Sequence, residues 1–292
     1  MDYGKDGVPA SVMLVADGDG AAIRARATAR QAGLSVVADL DVAGAAELDA
    51  AGPGADLLFV ELDNDGGAAL DALIDRLGQL ATGGQAVILS IVPELIDTSV
   101  ARLDDAPVDI LCSNDPAERV AAVAMMLARR GKAVRQEDAG GDDPLRTIGA
   151  DLERIAARLI GLADRRVPAT LPTARGTDAD SAITVTAAAY RRMLRDRRLR
   201  DVYLGEGLFA DPAWDMLLDL AAARLEDSPV AVSSLCIAAA VPPTTALRWI
   251  QALTERGMLL RVPDPQDGRR VFVTLSPPVV DAMAAYVRAT QG

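Results

Sequence analysis

Histidine is absent from the 292-residue chain, and cysteine and aromatic residues are scarce. The lack of histidine removes the commonest general base and the commonest metal ligand. Cys112 and Cys236 stand alone in apolar contexts, which indicates reduced core residues of a cytoplasmic protein. No apolar run approaches the roughly 18 residues needed to cross a membrane, and the first six residues do not resemble a signal peptide. No nucleophile lies at motif spacing from a base, so the sequence predicts neither an enzyme nor a cofactor or metal site.

The charge of the chain is distributed unevenly. The formal net charge is −12, and residues 1–130 carry all of that excess with 9 basic and 21 acidic residues. Residues 131–182 have a net charge of −1, and residues 183–292 a net charge of +1. The C-terminal part is therefore free to carry a local basic patch, which matters more for polyanion binding than the total charge does.

Half of the residues are hydrophobic, and the length suffices for about two domains of roughly 150 residues. Residues 1–130 alternate short apolar runs with helical stretches, which predicts a flavodoxin-like, doubly wound parallel sheet. Strands are expected at 12–16, 36–38, 57–60, 87–91 and 110–112, with helices at 21–32, 43–51, 67–81, 93–103 and 116–130.

Residues 131–182 are predicted to connect two domains. Polar, glycine-rich residues 131–143 read as a linker, and residues 165–182 as a second one. Between them, apolar residues recur at heptad a and d spacing, which favours a dimerisation helix over 144–164; a helix packed on its own domain is the alternative. The seam consists of Leu145, Ile148, Leu152, Ile155, Leu159 and Leu162.

Residues 183–292 begin with predicted helices. An arginine-rich helix is expected over 190–203, whose basic face would contact phosphates, flank a dimer interface or simply be solvated. Asp211-Pro212 supplies an N-cap and a first-turn proline for the next helix, and a short apolar helix follows over 232–240.

A further helix and a hairpin follow near the C-terminus. Pro242-Pro243 begins the helix, and Gly257 ends it. The polar segment Asp264–Arg270 contains an Asp-Gly pair and lies between the apolar runs 259–262 and 271–275, which predicts a β-hairpin.

This C-terminal pattern resembles the MarR-type winged helix-turn-helix regulators. The resemblance covers roughly residues 185–290, and its segments are Thr245–Arg248, Leu253–Arg261 and Asp264–Arg269. It implies an α+β winged helix in which one helix enters the major groove of DNA while the hairpin, or wing, reaches the backbone or the minor groove. Gln266 departs from the arginine that the family usually has there, which weakens part of the expected backbone contact.

The resemblance and the residue types together define a predicted DNA-binding set. Hydroxyl and guanidinium groups in the first turns of the helix can reach phosphates and base edges, and a wing-tip arginine can enter a narrow minor groove. The set is Pro243, Thr244, Thr245, Arg248, Arg261, Gln266, Asp267, Arg269 and Arg270. Asp267 is expected to orient the wing arginine, as in the family. Arg248 has the alternative of a solvated charge, and Arg269 and Arg270 point to opposite faces, so only one of them need meet DNA.

The N-terminal pattern resembles a response-regulator receiver domain that has lost its chemistry. Its pocket would contain Asp17, Asp19, Glu61 and Ser90. Glu61 stands where a receiver has its phosphoacceptor aspartate, and Cys112-Ser113-Asn114 lacks the lysine expected after strand 5. The resemblance therefore implies a pseudo-receiver in which Glu61 is either a fixed negative charge or a remnant; another flavodoxin-like module used for packing or dimerisation is the alternative.

The sequence thus predicts a cytoplasmic bacterial transcription regulator that binds double-stranded DNA as a homodimer, with the pseudo-receiver used for dimerisation or for input from a signalling protein. The alternative is a protein-interaction adaptor of a signalling pathway that uses both domains as docking surfaces. The acidic N-terminal domain is expected to repel DNA, which would reduce non-specific binding or allow autoinhibition.

Overall fold

The computed structural model describes residues 9–49, 54–137, 184–205 and 208–291. We call residues 9–137 the N-terminal unit and residues 184–291 the C-terminal unit. The predicted dimerisation helix, with Leu145, Ile148, Leu152, Ile155, Leu159 and Leu162, lies outside the described residues.

The N-terminal unit is built on a five-stranded sheet whose strands are all parallel and lie in the order β2-β1-β3-β4-β5. Its strands are β1 (Ser11–Ala16), β2 (Ser35–Leu40), β3 (Leu57–Leu62), β4 (Val87–Ile91) and β5 (Asp109–Leu111). Its helices are α1 (Asp19–Gln31), α2 (Val42–Ala46), α3 (Ala68–Thr82), α4 (Ile96–Leu103), which follows a short 3-10 turn, and α5 (Pro116–Glu137). The parallel sheet with interleaved helices confirms the α/β prediction.

The central strands are buried because helices cover both faces of a parallel sheet. Every residue of β3 and β4 is buried, as their uninterrupted apolar runs predict. The register places Glu61 beside Ala16 on one neighbouring strand and beside Ser90 on the other. Glu61 and Ser90, two residues of the predicted pseudo-receiver pocket, are thereby brought together at the carboxyl edge of the sheet.

Two predicted boundaries in this unit are wrong. Helix α2 ends at Ala46, well before the predicted residue 51. Ala45 is its only buried residue, so little packing is available to stabilise a longer helix. Helix α5 continues through residues 131–137, which were expected to be linker. Five of these seven residues are good helix formers (Lys132, Ala133, Arg135, Gln136 and Glu137), and a single glycine in a helix costs only about 1 kcal/mol.

The C-terminal unit combines helices with a three-stranded antiparallel sheet in the order β6-β8-β7. Its elements are α6 (Ala187–Leu204), α7 (Pro212–Leu225), β6 (Val230–Ala231), α8 (Val232–Ala238), α9 (Pro243–Glu255), β7 (Leu259–Pro263), β8 (Val271–Leu275) and α10 (Pro277–Gln291). Strands β7 and β8 pair from Leu259 opposite Leu275 to Pro263 opposite Val271, so the predicted hairpin is confirmed.

Local signals fix the ends of these helices. The carboxylate of Asp211 accepts a hydrogen bond from the backbone N–H of Trp214 at 3.2 Å, so it is the N-cap of α7. Gly257 stands just after α9 with φ of 66°, a conformation that costs glycine little, and its N–H donates to the Thr254 carbonyl at 2.8 Å. The chain can therefore leave α9 abruptly and enter β7.

One continuous apolar core joins the two units. Its buried residues include Val100 and Leu103 of α4 together with Val232 and Leu235 of α8. Helix α4 packs against α8 and β8, and α9 packs against β5. The C-terminal unit thus sits on one side of the N-terminal unit, against α4 and the β5 edge of the sheet.

Candidate nucleic-acid interface

The start of α9 is turned toward the N-terminal unit. Thr244 is only 5% exposed, and its hydroxyl oxygen accepts a hydrogen bond from the backbone N–H of Cys112 at 2.9 Å. Pro243 is the first residue of the helix, where its missing N–H costs nothing, and Thr245 is exposed. Of the two threonines predicted to meet DNA, one is therefore held in a contact between the units and the other is open to solvent.

A cavity of about 370 Å³ separates the middle of α9 from the N-terminal unit. Arg248, which is exposed, lines it from α9, and Arg261 lines it from β7. Asp104 and Asp105, which follow α4, line the opposite wall. Two of the predicted DNA-binding arginines thus line the same cavity as Asp104 and Asp105.

The loop at the tip of the hairpin is ordered by its own aspartates. The Asp264 carboxylate accepts from the N–H of Gln266 at 2.8 Å, and the Asp267 carboxylate accepts from the N–H of Arg269 at 2.9 Å. Backbone bonds from Asp264 to Arg270 and from Arg270 to Asp267 close the loop. Asp267 therefore fixes the main chain of Arg269, while the side chains of Gln266 and Arg270 remain exposed.

Arg269 at the hairpin tip forms ion pairs with the N-terminal unit. Its guanidinium lies 2.7 Å from the carboxylate of Asp65, in the loop after β3, and 3.2 Å from that of Asp71 on α3. The hydrogen bond from Arg269 lowers the pKa of the Asp65 carboxyl, and the same bond raises the pKa of Arg269. The wing arginine is thus matched to a pair of carboxylates that lie about 200 residues away in the sequence.

Two further polar contacts join the units around the apolar core. The carboxylate of Asp97 on α4 accepts from the backbone N–H and the hydroxyl of Ser233, at 2.9 and 2.6 Å. Arg261 donates to the carbonyl of Asp104 and lies 3.6 Å from the carboxylate of Asp105. Five aspartates of the N-terminal unit therefore contact the C-terminal unit. We call them the acidic face: Asp65, Asp71, Asp97, Asp104 and Asp105.

Glu61, at the predicted phosphoacceptor position, is buried in an ion pair. It is 3% exposed, and Arg119 of α5, equally buried, binds both of its carboxylate oxygens. The same guanidinium donates to the Ser90 hydroxyl at 3.0 Å and to the Thr28 hydroxyl at 2.9 Å. Arg24 of α1 adds a second bond to Glu61 at 3.0 Å. The charge of Glu61 is thus neutralised within the fold.

The two predicted acids after β1 behave differently from each other. The carboxylate of Asp17 accepts from the backbone N–H groups of Asp63 and Asn64 at 2.8 and 2.7 Å, so it holds the loop after β3 in place. Asp19 begins α1 and is exposed. Of the four predicted pocket residues, Glu61 and Ser90 meet through Arg119, Asp17 supports the neighbouring loop, and Asp19 stands apart.

Arg119 is the site residue that sequence reasoning missed. It lies in the first turn of α5, where a cation opposes the helix dipole. An arginine in this unfavourable place indicates a specific acidic partner, and that signal was available in Pro116–Arg119. The acidic face carried no comparable signal, because its aspartates are scattered over three separate segments of the sequence.

The arginine-rich helix α6 uses part of its charge inside the C-terminal unit. Arg191 pairs with Asp219 and Glu226, and Arg197 pairs with Asp215. Arg198 donates to the carbonyl of Ala238, at the end of α8. These arginines connect α6 to α7 and α8, whereas Arg192 and Arg195 in its middle are exposed.

Within residues 9–49, 54–137, 184–205 and 208–291, no group of three or more acidic or thiol side chains is arranged to hold a metal ion. Among the helices described, none combines the length and the apolar character needed to cross a membrane.

Comparison with known proteins gives partial matches to two solved structures. One is S. aureus MepR bound to ethidium bromide, 16% identical over 37% of this chain and 76% of the other, with a TM-score of 0.26. The second is Bordetella bronchiseptica BpsR, from a study of how 6-hydroxynicotinic acid regulates its DNA binding, 27% identical over 35% of this chain and 78% of the other, with a TM-score of 0.21. No family model and no curated protein matches the chain. TM-scores this low do not establish a shared fold.

Proposed function

We propose that this chain is a transcription regulator that binds DNA through a winged helix in the C-terminal unit. The observation that carries this proposal is the arrangement of α8, α9 and the β7–β8 hairpin. Two short helices are joined by a turn of four residues, 239–242, and a basic-tipped hairpin follows directly after α9. A helix of this kind fits the major groove, which is about 12 Å wide, while the hairpin reaches the flanking backbone or minor groove.

The side chains divide naturally between the two kinds of contact. Thr244, Thr245 and Arg248 stand in the first two turns of α9, where base edges would lie. Arg269 and Arg270 stand at the hairpin tip, with Asp267 holding the loop. Arg261 and Gln266 would add backbone contacts, and Pro243 sets the start of the helix.

The N-terminal unit supports the role of a pseudo-receiver. Its strand order is one of the two common orders of doubly wound folds, and the Arg119–Glu61 pair occupies the place where phosphoryl transfer would occur. A glutamate already bound by two arginines is a poor phosphoacceptor. We therefore assign this unit to protein contacts, and we assign homodimerisation to the helix predicted over 144–164. A dimer would read two half-sites about one helical turn apart.

Duplex binding by the full chain tests the proposal. We expect binding to fragmented bacterial DNA at low salt, with an affinity that falls steeply as salt rises because phosphate contacts release counterions. Substituting Arg248→Ala together with Arg270→Ala should weaken binding by about 1–3 kcal/mol per lost contact. Arg30→Ala together with Arg129→Ala, which removes two exposed arginines from α1 and α5, is the matched control and should leave affinity unchanged. Equal binding by the double variant and the wild type would contradict the proposal.

An adaptor that docks proteins is the second candidate, and one observation favours it. The basic wing already binds carboxylates of a protein surface, those of Asp65 and Asp71. An adaptor would show no duplex binding in any variant, whereas a regulator loses binding only when the α9 and wing arginines are removed.

A further inference from the structure

We propose that the structure shows a closed, autoinhibited state in which the N-terminal unit, through its acidic face and the end of β5, covers part of the DNA-reading surface of the C-terminal unit. This inference rests on the proposed function and adds its regulation. DNA binding would then require the two units to separate.

Steric exclusion is the first argument. The hydroxyl of Thr244 accepts a hydrogen bond from the backbone N–H of Cys112, and Leu247, one turn further on, is 8% exposed and lines the interface cavity together with Val100 and Leu103 of α4. A helix can enter the major groove only if its leading face is free. In the first turns of α9, Thr244 is packed against the N-terminal unit while Thr245 and Arg248 are exposed, so a duplex cannot contact the whole leading face of α9 without displacing that unit.

Charge matching is the second argument. The wing arginine that would approach phosphate or the minor groove is bound by Asp65 and Asp71, and Arg261 is bound by the carbonyl of Asp104 and by Asp105. Carboxylates thus stand where a polyanion would be bound. The start of α9 and the hairpin, which are the two predicted DNA-contacting elements, both contact the N-terminal unit. A chance contact of a single loop would not involve both elements.

The interface between the two units has an apolar centre and a charged rim. Its centre is apolar, with Val100 and Leu103 against Val232 and Leu235, and this packing makes the closed form the ground state. Its rim is made of ion pairs between partly exposed groups, which are individually weak and sensitive to salt. The rim therefore sets how readily the units part, without determining whether either unit folds.

A set of isosteric substitutions that removes charge from the acidic face tests this inference in the full chain. In the interface variant Asp65→Asn, Asp71→Asn and Asp105→Asn, each amide keeps the shape of its carboxylate, and at position 65 the remaining oxygen can still accept from the Gly67 N–H. Every side chain of the proposed DNA-binding set is untouched. We expect this variant to bind a mixed-sequence 30-base-pair duplex about tenfold more tightly, because a larger open fraction raises apparent affinity in proportion.

A matched control separates occlusion from general repulsion. The control variant also loses three negative charges, but at exposed positions outside the acidic face: Asp19→Asn, Glu47→Gln and Glu118→Gln. If this control raises affinity as much as the interface variant does, long-range repulsion is the cause and the inference is overturned. It is also overturned if the interface variant binds no more tightly than wild type while Arg248→Ala/Arg270→Ala still weakens binding. If no variant binds duplex DNA at all, the proposed function itself has failed.

Discussion

Two arginine–carboxylate clusters in this molecule use the same chemistry in opposite settings. Arg119 and Glu61 are each 3% exposed and meet inside the N-terminal unit. Arg269 and Asp65 meet between the units, where their side chains are 32% and 52% exposed. Desolvation makes a broken buried pair expensive, whereas water readily replaces a lost partner at the surface. The first cluster therefore holds a fold together, and the second can act as a latch.

Removing Arg119 should have the largest effect, since it leaves the charge of Glu61 buried without its main partner. We expect Arg119→Ala to lower the free energy of unfolding by about 3–5 kcal/mol, measured by urea denaturation. Arg129→Ala is the control on the same helix, because Arg129 pairs with Asp109 in an exposed setting and should cost less than about 1 kcal/mol. Replacing both partners, Arg119→Met with Glu61→Leu, should recover much of the loss. Similar small costs for Arg119→Ala and Arg129→Ala would refute the contrast between the clusters.

The two cysteines should show a smaller but clear effect on thiol reactivity. Burial raises the pKa of the Cys112 thiol to about 11 and that of Cys236 to about 12. At pH 8 the Cys112 thiolate is then about 100-fold scarcer than in an exposed cysteine, and reaction with a disulfide reagent should slow accordingly. Ser35→Cys, on the exposed edge strand β2, provides the fast reference.

The same shifts fix the direction of the pH dependence. Because both folded-state pKa values lie above the unfolded ones, the thiols' contribution to stability is fully present below about pH 9 and is lost as pH rises toward 11 and 12. Under the proposed opening, the interface variant should also label Cys112 faster than wild type does. Rapid labelling of both thiols in the native wild type would show that the interface is open.

Removing Arg269 should have the smallest effect on stability. Because both partners are partly exposed, Arg269→Ala should lower the free energy of unfolding by less than about 1 kcal/mol, and the difference should shrink at about 1 M salt. Thermal denaturation at low and high salt measures both quantities. A loss of several kcal/mol would mean that the hairpin pairs are structural, which would leave no weak latch between the units.

The sequence predicted the parts of each unit and missed how the units meet. The apolar runs of β1, β3 and β4, the Asp211 cap and the hairpin after Gly257 follow from local patterns, and all are present. The contacts of Thr244 with Cys112 and of Arg269 with Asp65 depend on side chains 132 and 204 residues apart. Single-sequence periodicity carries no information on such pairings.

The two edge strands of the N-terminal sheet, β2 and β5, differ in how far they are covered. At one edge, β2 carries exposed Val36 and Val37, while at the other edge the residue after β5 is capped by the hydroxyl of Thr244. If the units part, this second edge loses its cover, and uncovered strand edges invite pairing with other chains. Strand β5 is only three residues long, Asp109–Leu111, which makes it a poor template. Its shortness lets the molecule uncover an edge without inviting aggregation there.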